Sequence, residues 1–394
     1  YKRQLLEELL NFYLYINTGL MKILHIGQMI GGLDIYIRNT IIYADTEFEY
    51  VVVRGKKDNS KPILKNGKAI KECQVAMYRS IGWRDILCVF QTLRIVIKEK
   101  PDVIHCHSAK GGMVGRLIGF ILRKKTFYTP HAFSFLSSQG SLGRSLFSAI
   151  ERYTKFNAYI LACSASEAEL AQTVAHYKPD RVLIWTNSVP DAAKNIPEKD
   201  SKQDNGQPIM ICTIGRPSYQ KNSLFLAEVA KNVISQCPNV KFMILGVGHY
   251  SPFLNDIQNI IKENRLEDRI ELIPWLEQKE ILKYVNSSDL YLSTSLYEGL
   301  PLAIVEAMSL GKPIIASKVV GNIDCVEDNV NGFLLDLDTN VFVDKIVELV
   351  ADQEQKLLKD LGWGSRKLFE SKFNLEIQIN HLLDIYTNAV VGKR

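Results

Sequence analysis

The sequence predicts an α/β protein built from two doubly wound parallel sheets, and three observations lead there. Short, continuously apolar stretches alternate with helical segments along most of the chain, the pattern of strands covered on both faces. The alternation breaks once, at 191–207 (DAAKNIPEKDSKQDNGQ), where hydrophobicity falls and Pro, Asp, Lys, Asn and Gly collect as in a linker. At 394 residues and 46% hydrophobic, the chain is long enough for a core of ordinary size on either side of that break.

Residues 1–20 are helix-prone, and their apolar run from Leu9 to Ile16 is far shorter than the roughly 20 residues of a membrane span. They show no secretory cleavage pattern. Met21 opens MKILHIG, the expected first strand, and is expected to be the natural start, with 1–20 a dispensable extension. Further strands are expected near Tyr50–Arg54, Gln74–Tyr78, Val103–His107, Thr126–Thr129, Tyr159–Ser164 and Val182–Asn187. Gly31-Gly32 follows the first strand and precedes a helix predicted over Leu33–Tyr43, which places a flexible loop where ligands of open α/β sheets bind. On the strand VIHCH, His105 and His107 are expected on opposite faces, one in the core and one toward a cleft, and so unable to share a metal. SAKGGMVGRLIGFILRKK gives a glycine-rich turn and an apolar helix with a basic end at Arg123, Lys124 and Lys125, which suits a buried crossover helix or a membrane contact. Pro130 ends a strand and exposes His131 at its carboxyl edge. From Phe133 to Phe156, aromatic residues expected at the surface combine with Arg144, Arg152 and Lys155 into a candidate face for lipid headgroups.

After the linker the alternation restarts with PIMICTIGR. Strands are expected near Lys241–Gly246, Ile270–Ile273, Asp289–Ser293, Pro313–Ser317 and Phe333–Asp336. GRPSYQKN, Gly215 to Asn222, ends the first of these with Arg216 and Lys221 flanking a polar turn, a placement that suits a diphosphate and its departure. Gly246-x-Gly248 lacks the third glycine of a dinucleotide fingerprint and reads as a tight loop. Asp336-x-Asp338 invites a metal, but phosphate chemistry is already served by Arg216, Lys221 and a helix end, so no metal is assigned there. FNLEIQINHLLDIYTNAV closes the chain as an amphipathic helix.

The chain is organised around Ser295 to Gly311, SLYEGLPLAIVEAMSLG. A strand runs into a Gly-Leu-Pro turn, Pro301 is expected as the first helical residue, Glu298 lies in the turn and Glu306 inside the helix. The unpaired amides of the helix start suit a phosphate, and the two carboxylates suit hydroxyl donors. A nucleotide sugar offers both. With Gly311-Lys312-Pro313 leading into PIIAS, and the basic loop at Gly215 to Asn222, the stretch resembles the signature of the family 4 glycosyltransferases, which have the GT-B fold.

The resemblance implies two facing Rossmann-like domains with a cleft between them: 21–190 for the acceptor, a linker at 191–207, 208–374 for the nucleotide sugar, and 375–394 as a helix crossing back. It implies transfer with retention from a nucleotide diphosphate sugar, a UDP-sugar ahead of a GDP-sugar, with no cofactor and no obligatory metal. Glu298 would bind hydroxyls of the transferred sugar and Glu306 those of the ribose. Arg216 and Lys221 would neutralise the diphosphate, assisted by Gly299, Leu300, Pro301 and Leu302 at the helix end. Gly31 and Gly32 would approach the diphosphate, His131 would lie by the transferred sugar, and Trp275 and Leu276 would face the base. No GxSxG-type nucleophile site is present in the sequence. The family's front-face route, in which the leaving phosphate takes the acceptor's proton, is the mechanism expected.

Charge bears on the acceptor. Residues 1–205 hold 29 Lys and Arg against 19 Asp and Glu, while residues 206–394 hold 19 against 24. The basic half is expected to meet an anionic membrane surface rather than nucleic acid, with a lipid diphosphate-linked saccharide as acceptor, as in assembly of a bacterial capsule or O-antigen. That places the protein in the cytoplasm, peripheral on the inner membrane face. Seven scattered cysteines without a CxxC pair read as reduced thiols. The competing readings are a UDP-N-acetylglucosamine 2-epimerase of the same fold, a sucrose- or trehalose-type synthase with a soluble acceptor, and a non-enzymatic nucleotide- or nucleic-acid-binding module.

Overall fold

The computed structural model describes residues 20–44, 48–58, 60–80, 82–196, 207–248, 251–352 and 356–391. The expected extension at 1–19 lies outside the described residues. The chain forms two units: one runs to Thr186 and resumes at Leu375, the other is Asn187–Asn374.

The first unit contains β1 (Met21–Ile26), α1 (Gly32–Tyr43), β2 (Phe48–Gly55), β3 (Leu64–Lys65), β4 (Lys68–Ala69), β5 (Lys71–Val75), α2 (Arg84–Glu99), β6 (Val103–His107), α3 (Ser108–Ile121), β7 (Lys125–Thr129), α4 (Ser141–Tyr153), β8 (Tyr159–Ala162), α5 (Ala165–Thr173) and β9 (Val182–Ile184). Seven strands pair in the order β5-β2-β1-β6-β7-β8-β9, every neighbour parallel. Strand β6 is buried along its whole length, which is why its sequence shows no polar alternation. Chain order reverses between β1 and β6, which makes the carboxyl ends of these two strands the switch point of the sheet. The sequence reading missed the small β3–β4 hairpin, which turns at Asn66 and Gly67, both at positive φ (50° and 75°).

Helix α3 packs its glycines flat on the sheet. A Cβ at Gly112 or Gly119 would collide with the Tyr128 ring or the Thr126 side chain, so the glycine-rich stretch serves close helix–sheet contact. Phe133 and Phe135, expected at the surface, are buried in the core of the first unit and stack 5.0 Å apart.

The second unit contains β10 (Ile209–Ile214), α6 (Ser223–Gln236), β11 (Val240–Val247), α7 (Leu254–Glu263), β12 (Ile270–Pro274), α8 (Gln278–Ser287), β13 (Leu290–Ser293), α9 (Leu302–Ser309), β14 (Ile314–Ser317), β15 (Gly332–Leu335), α10 (Thr339–Ala351) and α11 (Lys356–Leu368). Its six parallel strands run β12-β11-β10-β13-β14-β15, with the reversal between β10 and β13. Asp338 caps α10 by accepting from the amides of Asn340 and Val341, a structural role for the second acid of the DxD pair.

The linker expected at 191–207 is corrected in its described part. Asp191 is buried and held by the two terminal guanidinium nitrogens of Arg366 at 2.6 Å, and the Val189 amide donates to Phe373 O at 3.1 Å. Residues 187–196 are therefore a packed part of the second unit, while 197–206 lie outside the described residues. The composition was polar because its acid pairs with an arginine 175 positions away, a partner no local pattern shows.

The chain ends in α12 (Leu375–Val391), which belongs to the first unit. It buries Leu375, Ile379, Leu382, Leu383 and Tyr386, and its Gln378 carbonyl accepts from the Trp185 indole at 2.9 Å. All seven cysteines are free thiols, five of them buried. Among the described residues no helix is long and apolar enough to cross a membrane.

Candidate functional site

In the second unit, β10 and β13 are neighbours at the reversal, so the loops that leave their carboxyl ends rise side by side. Two bonds join them: Thr294 Oγ1 donates to Lys221 O (2.9 Å) and the Leu296 amide to Gln220 O (2.8 Å). This places Glu298 against the basic loop. The residue is 7% exposed; Oε1 accepts from Lys221 Nζ (2.7 Å) and Ser295 Oγ (2.8 Å), and Oε2 from Gln220 Nε2 (3.1 Å). Glycines on either side make room. Gly321 has φ +85°, and a Cβ there would lie 2.8 Å from Glu298 Cβ; one at Gly215 would lie 2.9 Å from Lys221 Cγ. Arg216, half-buried, follows Gly215 in the same loop. The sequence reading gave Glu298 to sugar hydroxyls and Lys221 to the diphosphate. The two pair with each other, so a ligand reaching one lies beside the other.

Pro301 is corrected by one position: it is the N-cap, with φ −73° and ψ 109°, and Leu302 is the first helical residue. Ile304 and Val305 bond to Pro301 O, leaving the amides of Leu302 and Ala303 at the head of α9 without an intrahelical acceptor. Leu300, buried just before, accepts from Asn187 Nδ2 at 2.9 Å and fixes the turn after Gly299. One turn into α9, Glu306 is 5% exposed and accepts from Gln278 Nε2 at 2.6 Å. Burial pushes its carboxyl up to about 7, against the smaller opposite pull of Gln278. The folded state then binds this proton more tightly than the unfolded chain, so Glu306 favours folding below about pH 4.5 and that contribution is lost as pH rises toward 7. Lys312 donates to Asn286 O and Ser288 O and braces the sheet. Trp275 is 59% exposed beside Gly246 at the end of β12, which makes it a surface ring and not core filler; Leu276 after it is half-buried.

The first unit builds a second cluster at its own reversal. Gly31, at φ 61°, caps α1, and Gly32 is that helix's first residue. Asp58 Oδ2 accepts from the amides of Met29 and Gly55, both at 2.8 Å, and so anchors this loop to the end of β2. Tyr36, on α1, meets the His131 ring edge-on at 4.6 Å. His131 and Ala132 both hold positive φ (52° and 76°), a backbone state of order 1 kcal/mol or more for non-glycine residues. Glu167 stabilises it, accepting from the Ala132 amide (2.8 Å) and the Cys163 amide (2.9 Å).

The expectation for His105 and His107 is overturned. Alternation separates adjacent residues of a strand, and residues two apart share a face. Both rings are fully buried with centroids 4.0 Å apart, and with His25 of β1 they bring three ring nitrogens within 4.8 Å of one another. His105 is engaged on both sides, Nδ1 with Tyr386 Oη (2.6 Å) and Nε2 with Thr129 Oγ1 (2.8 Å). Burial lowers all four imidazoles, His25 to about 3, so the cluster is neutral. The sequence reading also passed over Gln220, Ser295, Gln278, Tyr36 and Glu167. Of these, Gln220, Ser295, Gln278 and Tyr36 stood inside stretches already marked, and Glu167 did not.

Comparison with known proteins gives concordant matches. Residues 30–192 match the family profile "Glycosyltransferase Family 4" and residues 195–367 match "Glycosyl transferases group 1". The chain is 28% identical, over 79% of its length and 81% of the other, to an Escherichia coli protein named UDP-Gal:alpha-D-GlcNAc-diphosphoundecaprenol alpha-1,3-galactosyltransferase. Among solved structures it is similar to sucrose-phosphate synthase from Thermosynechococcus elongatus (TM-score 0.77, 18% identity, 95% of this chain and 100% of that one). It is also similar to Anabaena HepE in complex with UDP-glucose (TM-score 0.71, 18% identity, 93% and 100%).

Proposed function

Because the chain belongs to the family 4 glycosyltransferases of GT-B fold, we propose that it moves a sugar from a UDP-sugar to a lipid diphosphate-linked saccharide, with retention, during assembly of a bacterial surface polysaccharide. The observation that carries this reading is the buried Glu298 carboxylate, held by Lys221 at the head of α9 where two parallel strands end. Leu302 and Ala303 amides, with Arg216 and Lys221, receive the diphosphate and hold its charge as the bond to the sugar breaks. They supply positive charge where a divalent ion would otherwise stand, so transfer proceeds without an obligatory metal. Glu298 accepts from hydroxyls of the transferred sugar and Glu306 from those of the ribose. The name of the Escherichia coli relative supports the UDP-sugar and the lipid-linked acceptor. The test is incubation with UDP-galactose, UDP-glucose and UDP-N-acetylglucosamine, each with an undecaprenyl diphosphate saccharide, reading UDP release and the anomeric configuration of the product by NMR. Conversion of a UDP-sugar without acceptor would point to the epimerase reading, and no turnover of any donor would sink the proposal.

Two expected results follow from the site. A ribose diol donates two hydroxyls to a carboxylate far more strongly than to a protonated carboxyl, so UDP binding favours loss of the proton that burial retains. UDP affinity should fall about tenfold per pH unit below about 7 and level off above it, with proton release visible calorimetrically in buffers of different ionisation enthalpy. Glu306→Gln should bind UDP weakly at every pH with the slope gone; a wild-type affinity flat from pH 5.5 to 8 would separate Glu306 from the ribose.

The membrane face needs a correction and gains a second element. Phe133 and Phe135 are internal, while α4 exposes Leu142 and Tyr153 beside Arg144 and Arg152, and Trp83 at the start of α2 is followed by exposed Ile86 and Phe90 near Arg84 and Arg94. Apolar side chains interleaved with arginines suit the headgroup region of an anionic bilayer. Trp83→Ser with Phe90→Ser should weaken binding to phosphatidylglycerol vesicles by about tenfold. Equal binding to neutral vesicles, or no salt dependence, would remove the electrostatic part of this account.

A further inference from the structure

Three imidazoles of the first unit form a continuous hydrogen-bonded chain. His25 Nδ1 lies 3.0 Å from His107 Nε2, and His107 Nδ1 lies 3.2 Å from His131 Nε2. The inner end is closed: His25 is fully buried, and its Nε2 has no hydrogen-bond partner among the described residues. The outer end, His131, is half-buried on its positive-φ turn.

A neutral imidazole carries one proton, so such a chain has only two arrangements. In one, His25 keeps a proton on Nε2, His107 donates to His25, and His131 donates inward from Nε2, which leaves Nδ1 of His131 bare. In the other, His25 donates from Nδ1, His107 donates from Nδ1 to His131 Nε2, and His131 carries its proton on Nδ1. The two differ at the inner end. The first buries an unpaired N–H and the second an unpaired lone pair, and orphaned buried N–H groups are the rarer of the two. The neighbouring His105 stands outside this chain with its own tautomer fixed. Thr129 Oγ1 donates to Leu161 O, so it accepts from His105 Nε2–H, and Tyr386 donates to the bare Nδ1.

We propose that His25 and His107 are positioning residues that fix the tautomer of His131, so that His131 meets its ligand as an N–H donor through Nδ1. The ligand part rests on the reading of His131 as a donor-sugar contact; the tautomer part does not. A sugar hydroxyl can donate or accept, and a ring locked as donor obliges it to accept. His107 is the pivot, because its two nitrogens must accept on one side and donate on the other. A glutamine can do the same with its carbonyl and amide, whereas leucine can do neither.

The experiment is two-bond 15N–1H correlation on the full chain labelled at histidine nitrogen, with the His131 signals assigned from His131→Gln, followed by calorimetry with UDP, UDP-galactose and UDP-glucose. Wild type and His107→Gln should show His131 protonated at Nδ1. His107→Leu should show mixed His131 tautomers and lose about tenfold in affinity for the UDP-sugars relative to UDP, the worth of one hydrogen bond, with the glutamine variant restored. An Nε2 proton on His131 in the wild type overturns the proposal without recourse to any variant. So does an unaltered His131 spectrum in a folded His107→Leu, or zinc held one to one by His25, His105 and His107. A correct tautomer whose signals do not move on adding either UDP-sugar overturns the sugar contact and leaves the relay standing.

Discussion

Glu298→Gln should lower kcat by two to three orders of magnitude while leaving UDP binding intact, the loss expected when one preorganised charged contact, about 3–4 kcal/mol, is removed from the transition state. Glutamine keeps the size of the side chain and can still accept a hydrogen bond, but it has no charge to pair with the Lys221 ammonium, which the carboxylate holds at 2.7 Å. Lys221→Met leaves the opposite defect, a buried carboxylate whose remaining partners are neutral. The two single variants and the double variant form a cycle in which the losses should be strongly non-additive, because the residues act as one unit. Turnover by steady-state kinetics and UDP affinity by calorimetry check this together. A Glu298→Gln enzyme within threefold of wild type would remove the carboxylate from the chemistry, and unimpaired function in the cell would favour the non-enzymatic module.

Glu151→Ala should destabilise the first unit by about 3–5 kcal/mol, because it strands a buried guanidinium. Arg116 and Glu151 meet at 2.9 Å with side chains 1% and 2% exposed. Tyr128 donates to the same carboxylate (3.0 Å), while Arg116 also reaches Gly112 O and Tyr177 Oη at 3.1 Å each. The guanidinium lies over the Tyr128 ring, 4.2 Å from its centroid. At roughly 2–4 °C per kcal/mol for a unit of this size, the expected fall in Tm is about 10 °C by calorimetry. Glu151→Leu combined with Arg116→Met should recover most of it, since removing both charges also removes the desolvation that pairing offsets. A single-variant loss under about 1 kcal/mol would mean that water reaches the pair.

These two sites differ in how far the sequence showed them. Glu298 stood out because it sits between a strand and a proline-headed helix, all within one short stretch, and local order of that kind is written in neighbouring residues. Arg116 and Glu151 are 35 positions apart on α3 and α4, inside segments whose other residues, the glycines and the exposed arginines, drew the attention. The parallel alternation, the loop at Gly31 and the helix at Glu306 belong to the first kind. Hydrophobic period and turn residues act over a few positions, so the chain itself determined its strands, its helices and the ends of the sheets where a ligand would bind. Which side chains meet there is another matter. Lys221 finds Glu298 across 77 positions, His107 finds His25 across 82, and Tyr386 finds His105 across 281. The order in which strands assemble makes those partners, and it also brings Asp191 to Arg366 in the second unit. Only the tertiary structure decided them, because a side chain's charge, proton and tautomer answer to whatever packs against it, however far along the chain that neighbour lies.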